Sequence, residues 1–134
     1  MTIAVDTNVL ARYLTWDDVP QATVAAAAIE SGDTVAISSI VLCELVWVLK
    51  RAYRLTNAEI ADAMQFVIES RNVEVDRPAA EMGLGMLRRG GDFADGIIQQ
   101  DANRTRSRHV VTFDQDFAAL LGPDRARLLV AAPR

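Results

Sequence analysis

Cysteine and histidine are almost missing from this 134-residue chain, with one of each, Cys43 and His109. A lone cysteine forms no internal disulfide, and the pair is too small for a zinc site built mainly from Cys and His. Cys43 lies in an apolar run and reads as packed core. His109 has no Ser or Cys partner in view and reads as the start of a strand. Lysine is equally scarce, Lys50 being the only one. Apolar residues make up 51% of the chain yet are always broken by polar ones, so no run approaches the ~20 residues of a membrane helix. A basic leader with a small-residue cleavage site is also lacking, and the expectation is a soluble, cytoplasmic protein. Excess positive charge is absent too. With 18 acids against 14 bases the net charge is −4, which removes any global attraction to a polyanion and leaves local patches or cations to supply it.

What is present is an alternation of short β-branched runs with helical stretches. The length fits one domain spanning residues 1–134, enough to bury roughly two-thirds of the surface of the unfolded chain. Strands are expected at Ile3 to Val5, Thr34 to Ser38, Val73 to Asp76, His109 to Phe113 and Ala126 to Val130. Between them fall helices, including one opened by Pro20 and stopped at Gly32, one capped at Ser38-Ser39, and one opened by the capping box Thr56-Asn57-Ala58-Glu59. This order predicts an α/β fold, a small parallel sheet of about five strands with helices on both faces. The first strand suits the sheet centre, buried on both sides, and the fourth is expected to be buried as well.

Four acids stand at punctuation points of that layout. Asp6 and Asp114 end strands, Asp95 lies in the first turn of its helix, and Glu44 interrupts a helix that is otherwise apolar from Ile40 to Leu49. Open α/β sheets bind ligands at the carboxyl ends of their strands, so all four are expected near one rim. Carboxylates gathered there repel one another and stay ionised at neutral pH only beside compensating cations. An all-oxygen set favours hard ions, Mg²⁺ or Mn²⁺. Two such ions roughly 3.5–4 Å apart hold a phosphodiester and activate water, with no nucleophilic side chain required.

Each acid also has a plainer role open to it. Asp6 suits a cap or an Asx-turn with Asn8, Asp92 an N-cap ahead of any catalytic role, Asp95 a capping partner, Asp114 a turn, and Asp116 a cap or dipole partner. Glu44 is the hardest to explain that way, because a buried carboxylate costs several kcal/mol unless paired or coordinated. Asp17, Asp18, Asp62 and Asp101 read as solvated faces.

Taken together, Asp6-Thr7-Asn8-Val9-Leu10, Ser38 to Glu44, Asp92-Phe93-Ala94-Asp95-Gly96-Ile97-Ile98 and Thr112-Phe113-Asp114-Gln115-Asp116-Phe117 resemble a PIN domain. More narrowly, they resemble the VapC toxins of bacterial type II toxin–antitoxin modules. The resemblance implies a Mg²⁺-dependent endoribonuclease, with Mn²⁺ as an alternative ion, that cuts structured RNA such as tRNA. It places Asp6, Glu44, Asp95 and Asp114 at the acidic, metal-binding positions and Asn8 at a supporting one, with Thr112, Asp92 and Asp116 beside them. It further implies a homodimer and a cognate VapB antitoxin that covers the cleft with a basic residue, DNA being met only through the antitoxin. The apolar helices around Val9 to Tyr13 and Val46 to Tyr53 offer surfaces for either protein partner. Lys50, Arg51, Arg54, Arg88, Arg89, Arg104 and Arg106 are candidate RNA contacts.

Three other readings remain. A haloacid-dehalogenase-like phosphatase needs a second aspartate two positions after the first, where this chain has Asn8, and a lysine late in the sheet. A receiver-type regulatory domain needs that lysine too. A catalytically silent PIN-like module that binds RNA or protein would not need all four acids.

Overall fold

The computed structural model describes residues 1–133, and in it the expected alternation of strands and helices is present. In chain order the elements are β1 (Thr2–Ala4), α1 (Thr7–Thr15), α2 (Val19–Ile29), β2 (Thr34–Ala36), α3 (Ser39–Arg51), α4 (Asn57–Glu69), β3 (Val73–Glu74), α5 (Arg77–Arg88), α6 (Phe93–Arg104), β4 (Val110–Thr112), α7 (Gln115–Leu121) and β5 (Ala126–Leu128). All strand pairings are parallel, as an α/β fold requires. None of these helices is long and apolar enough to cross a membrane.

The five strands divide into two sheets, β1-β2-β3 and β4-β5. β2 holds the centre of the first, with Ile3 and Val73 on either side of Val35. The expectation that the first strand is central and doubly buried is corrected: β1 is an edge strand, with Thr2 and Ala4 exposed. Composition explains the exchange. β2 and its extension carry Val35 and Ile37, both buried, whereas β1 alternates Ile3 with a small or polar residue. The fourth strand is also less buried than expected. Val111 is 53% exposed, because β4 has only β5 beside it and the residue opposite is Arg127.

The main core is built chiefly from helices packed with the first sheet. Leu42, Leu45 and Leu49 of α3, Ile60, Met64 and Ile68 of α4, Leu87 of α5 and Phe93 of α6 are all essentially inaccessible. Each such side chain contributes about 1.5–3 kcal/mol on burial. The capping signals are realised as read: Ser38 accepts from the Val41 amide, and Thr56 and Glu59 form a reciprocal capping box.

Asp17 and Asp18 do more than solvate a face. Asp18 accepts from the Gln21 amide at 3.0 Å and caps α2. Asp17 receives the Tyr53 hydroxyl at 2.7 Å, the Thr15 hydroxyl at 2.9 Å and the Arg12 guanidinium at 2.9 and 3.0 Å, tying α1 to the end of α3. The Tyr53 hydrogen bond, then those from Thr15 and Arg12, hold the Asp17 carboxyl below the usual range. A carboxyl lowered in the folded state stabilises the fold above its ordinary pKa, and that contribution is lost as pH falls through the folded value. Tyr53→Phe is therefore expected to move the Asp17 titration upward, measured by carboxyl NMR. An unmoved titration would show that the phenol does not hold the charge.

Candidate active site

Asp92 and Asp95 reach their positions through an unusually close pairing of helices. α5 ends at Arg88 and the chain turns at Gly90, whose φ of +90° is unfavourable for other residues; Asp92 opens α6 two residues later by accepting from the Ala94 amide at 3.4 Å. The pairing of α5 with α6 is the most extensive in the chain. It depends on Gly96, where a side-chain carbon would collide with the Met82 carbonyl and the Gly83 Cα, and on Gly83, where it would strike the Phe93 ring. Phe93, fully buried, fixes the first turn of α6 from below.

Asp114 is set in place from the other sheet. Its amide donates to the Thr112 hydroxyl at 3.0 Å, and its carboxylate accepts from the Phe117 amide at 3.0 Å, capping α7. Thr112 thus supports Asp114 through the backbone. Asp116 follows in the first turn of α7.

These two helix starts border one cavity of about 300 Å³. Asp92, Asp95, Asp114 and Asp116 line it together with Lys50 and Trp47 of α3, over an apolar floor that includes Val46, Leu87, Phe117 and Leu120. Among the cavity acids, Asp95 is the half-buried one. Burial, and then the charges of Asp92 and Asp114, raise its pKa, although the N-terminal turn of a helix ordinarily favours a carboxylate. Among the described residues no hydrogen-bond donor or basic side chain reaches the Asp95 carboxylate; the hydrogen bonds of Asp92 and Asp114 are to backbone amides.

Asp6 and Glu44 do not line this cavity. Asp6 is exposed and caps α1, accepting from the Thr7 amide at 2.7 Å. Thr7 is buried, and its hydroxyl donates to Glu44 at 3.3 Å, so the structure joins Asp6 and Glu44 through Thr7 as a second acidic group. The expectation that Glu44 is buried is corrected. α3 turns Leu42, Leu45, Val46 and Leu49 inward, while Ile40, Glu44 and Trp47 share an exposed face at helical spacing. Glu44 stands one turn before Trp47 on that face and accepts from Thr7 of α1. Asn8 lies elsewhere, in the groove between α1 and α2.

The candidate RNA contacts are divided likewise. Lys50 faces the cavity, and the Arg51 guanidinium lies 5.3 Å from the centre of the Trp47 ring. Arg88 is paired with Asp62 at 3.2 Å, Arg89 donates to the Leu120 carbonyl at 2.6 Å, and Arg104 sits 3.6 Å from Asp101. Arg54 and Arg106 are exposed. Sequence reading missed Trp47, which lines the cavity, and Gly96, which lets α5 and α6 approach. A glycine inside a helix costs about 1 kcal/mol relative to alanine, and that penalty beside an acid was the available signal of close packing.

The donor set suits a hard divalent ion. The acids offer only oxygen, and Mg²⁺ characteristically keeps several waters while taking one or two protein carboxylates, with substrate phosphates completing its shell. Among the described residues no three His, Cys, Asp or Glu side chains form a ready-made cage.

An α/β domain with parallel strands and an acidic cavity between two helix starts is the class that fold and site define. Residues 3–121 match the PIN domain family, and the chain belongs to it. PIN domains are generally metal-dependent nucleases. No curated protein sequence matches the chain.

Proposed function

We propose that the protein is a Mg²⁺-dependent endoribonuclease, with Mn²⁺ as an alternative ion, acting as the toxin of a VapBC-type module on structured RNA such as tRNA. The observation that carries the reading is Asp95: a half-buried carboxylate whose pKa is raised by burial and then by the charges of Asp92 and Asp114, with no hydrogen-bonded or ion-paired basic side chain among the described residues. Such a group is relieved by a cation. Asp95 and Asp114 would hold the ion, Asp92 and Asp116 would add negative charge at its edge, and Asp6 and Glu44 would extend the acidic rim from α1 and α3. When bound, the ion supplies positive charge to the phosphate and lowers the pKa of an attacking water. Lys50 offers the phosphate a second positive contact. Water adds to phosphorus as the bond to the leaving oxygen breaks, and that oxygen takes up a proton.

The protein partners are part of the same reading. The groove between α1 and α2, about 360 Å³, is lined by Val9, Val24, Ala25 and Ala28 with Arg12, Gln21 and Asn8, and suits an amphipathic segment of an antitoxin. A basic side chain carried from there to the acids would replace the charge of the metal. We take the protein to be a cytoplasmic homodimer.

Purified protein is expected to cut a tRNA pool with Mg²⁺ or Mn²⁺ and to stop on addition of EDTA. Expression is expected to arrest growth, with relief by an adjacent antitoxin gene. RNA bound but uncut under all these conditions would replace the nuclease with a catalytically silent PIN module.

A further inference from the structure

We propose that Trp47 is a stacking platform for an unpaired nucleobase at the mouth of the acidic cavity. The inference rests on the nuclease reading only in taking that cavity as the place where the phosphate sits.

Trp47 is 60% exposed and lines the cavity alongside Lys50, so its indole is not an isolated apolar residue on an ordinary surface. One turn further along α3, the Arg51 guanidinium lies over the ring, 5.3 Å from its centre. A cation on one face favours a defined ring orientation, and the residue as a whole stays 60% exposed.

Charge alone gives the cavity little hold on RNA. The chain carries −4 overall, and four acids line the cavity against the single ammonium of Lys50. Besides the bound ion and Lys50, a contact that does not depend on phosphate charge strengthens the hold. Base stacking on an aromatic ring is such a contact, and every base has a face to offer. Only an unpaired base can offer it fully, because in a duplex both faces are already stacked. The substrate class that follows is a single-stranded stretch, such as the loop of a folded RNA. Its base would rest on Trp47 while Lys50, three residues further along the helix, meets the neighbouring phosphate.

The test uses full-length protein carrying Trp16→Phe, which leaves Trp47 as the only tryptophan, and a hydrolysis-resistant 2′-O-methyl phosphorothioate octamer in Mg²⁺. Single-stranded octamer is expected to quench Trp47 fluorescence, and the same octamer in a duplex is not. In the otherwise wild-type chain, Trp47→Ala should weaken octamer binding by about 5- to 100-fold and raise KM for RNA with kcat little changed, while Trp47→Phe restores most of the loss. Circular dichroism verifies folding, which an exposed site should not disturb. Absent quenching, or an unchanged Kd and KM in Trp47→Ala, would overturn the proposal. So would a dimer that becomes monomeric in Trp47→Ala at unchanged affinity, which would make this face a protein contact. Quenching by the octamer in a protein that cuts no RNA would support the platform and reject the nuclease. Cleavage that ignores Trp47 would do the opposite.

Discussion

Asp95→Asn is expected to lower kcat on RNA by about 100-fold or more while raising the melting temperature of the metal-free protein by about 2 °C. Both effects have one cause. In the folded protein, burial and the charges of Asp92 and Asp114 push the Asp95 pKa up. The folded state thus binds a proton more tightly than the unfolded chain does. The stability this contributes is fully present below the ordinary carboxylate pKa and is lost as pH rises through the folded value. Neutral asparagine escapes that loss, so the variant should gain on the wild type as pH rises and match it in acid. Adding Mg²⁺ should reverse the ranking, because a ligand of the native state stabilises only the protein that binds it. A scan of melting temperature against pH and Mg²⁺ reads all three effects. An Asp95→Asn protein that cuts RNA at the wild-type rate would remove Asp95 from the chemistry.

Gly96→Val should be the most damaging single substitution near the site, costing about 2–4 kcal/mol and lowering the melting temperature by about 5–15 °C. The added carbons have nowhere to go, since the obstacle is the Met82 carbonyl and the Gly83 backbone rather than a mobile side chain. α5 and α6 would have to part, carrying Asp92 and Asp95 with them, so activity should fall as well. Gly85→Ala supplies the control. Gly85 lies inside α5, is exposed, and has no atom within 4 Å of where its side chain would be. Replacing it should stabilise by about 0.5–1 kcal/mol through helix propensity alone. Denaturant melts of both variants settle the comparison. Equal stability for the two would show that the α5–α6 contact is looser than the structure has it.

These two glycines illustrate what sequence can and cannot convey here. Local signals were legible: the Thr56–Glu59 capping box, the Ser38 cap, the turn at Gly32 and the alternation that defines the α/β class all follow from residue chemistry within a few positions. Long-range placement was not. Whether β1 or β2 occupies the sheet centre depends on how much apolar surface each buries against helices far away in the chain. The exposure of Glu44 has a related cause. Apolar composition made α3 look buried all round, whereas Ile40 and Trp47 are exposed at 72% and 60% and share the face of Glu44. Patterning locates an acid on a helix, but only packing decides which way the helix turns.

The site was read in part. Asp95 and Asp114 share a cavity, Thr112 supports Asp114, and the other cavity acids are Asp92 and Asp116, which residue chemistry alone reads as cap and dipole partner and which the family resemblance sets beside the site. Capping and cavity lining coexist in Asp92 and Asp114, since a carboxylate that accepts one backbone amide keeps other lone pairs for a cation. Asp6 and Glu44 meet through Thr7 instead of on the cavity wall. A bond through a third side chain leaves no trace in spacing.

Anomalous diffraction from a crystal soaked in Mn²⁺ tests the central claim most directly. The account predicts a peak between Asp95 and Asp114, inside the cavity that Asp92 and Asp116 complete, and its disappearance in Asp95→Asn. Mn²⁺ bound only elsewhere on the surface, with that cavity holding water alone, would contradict it.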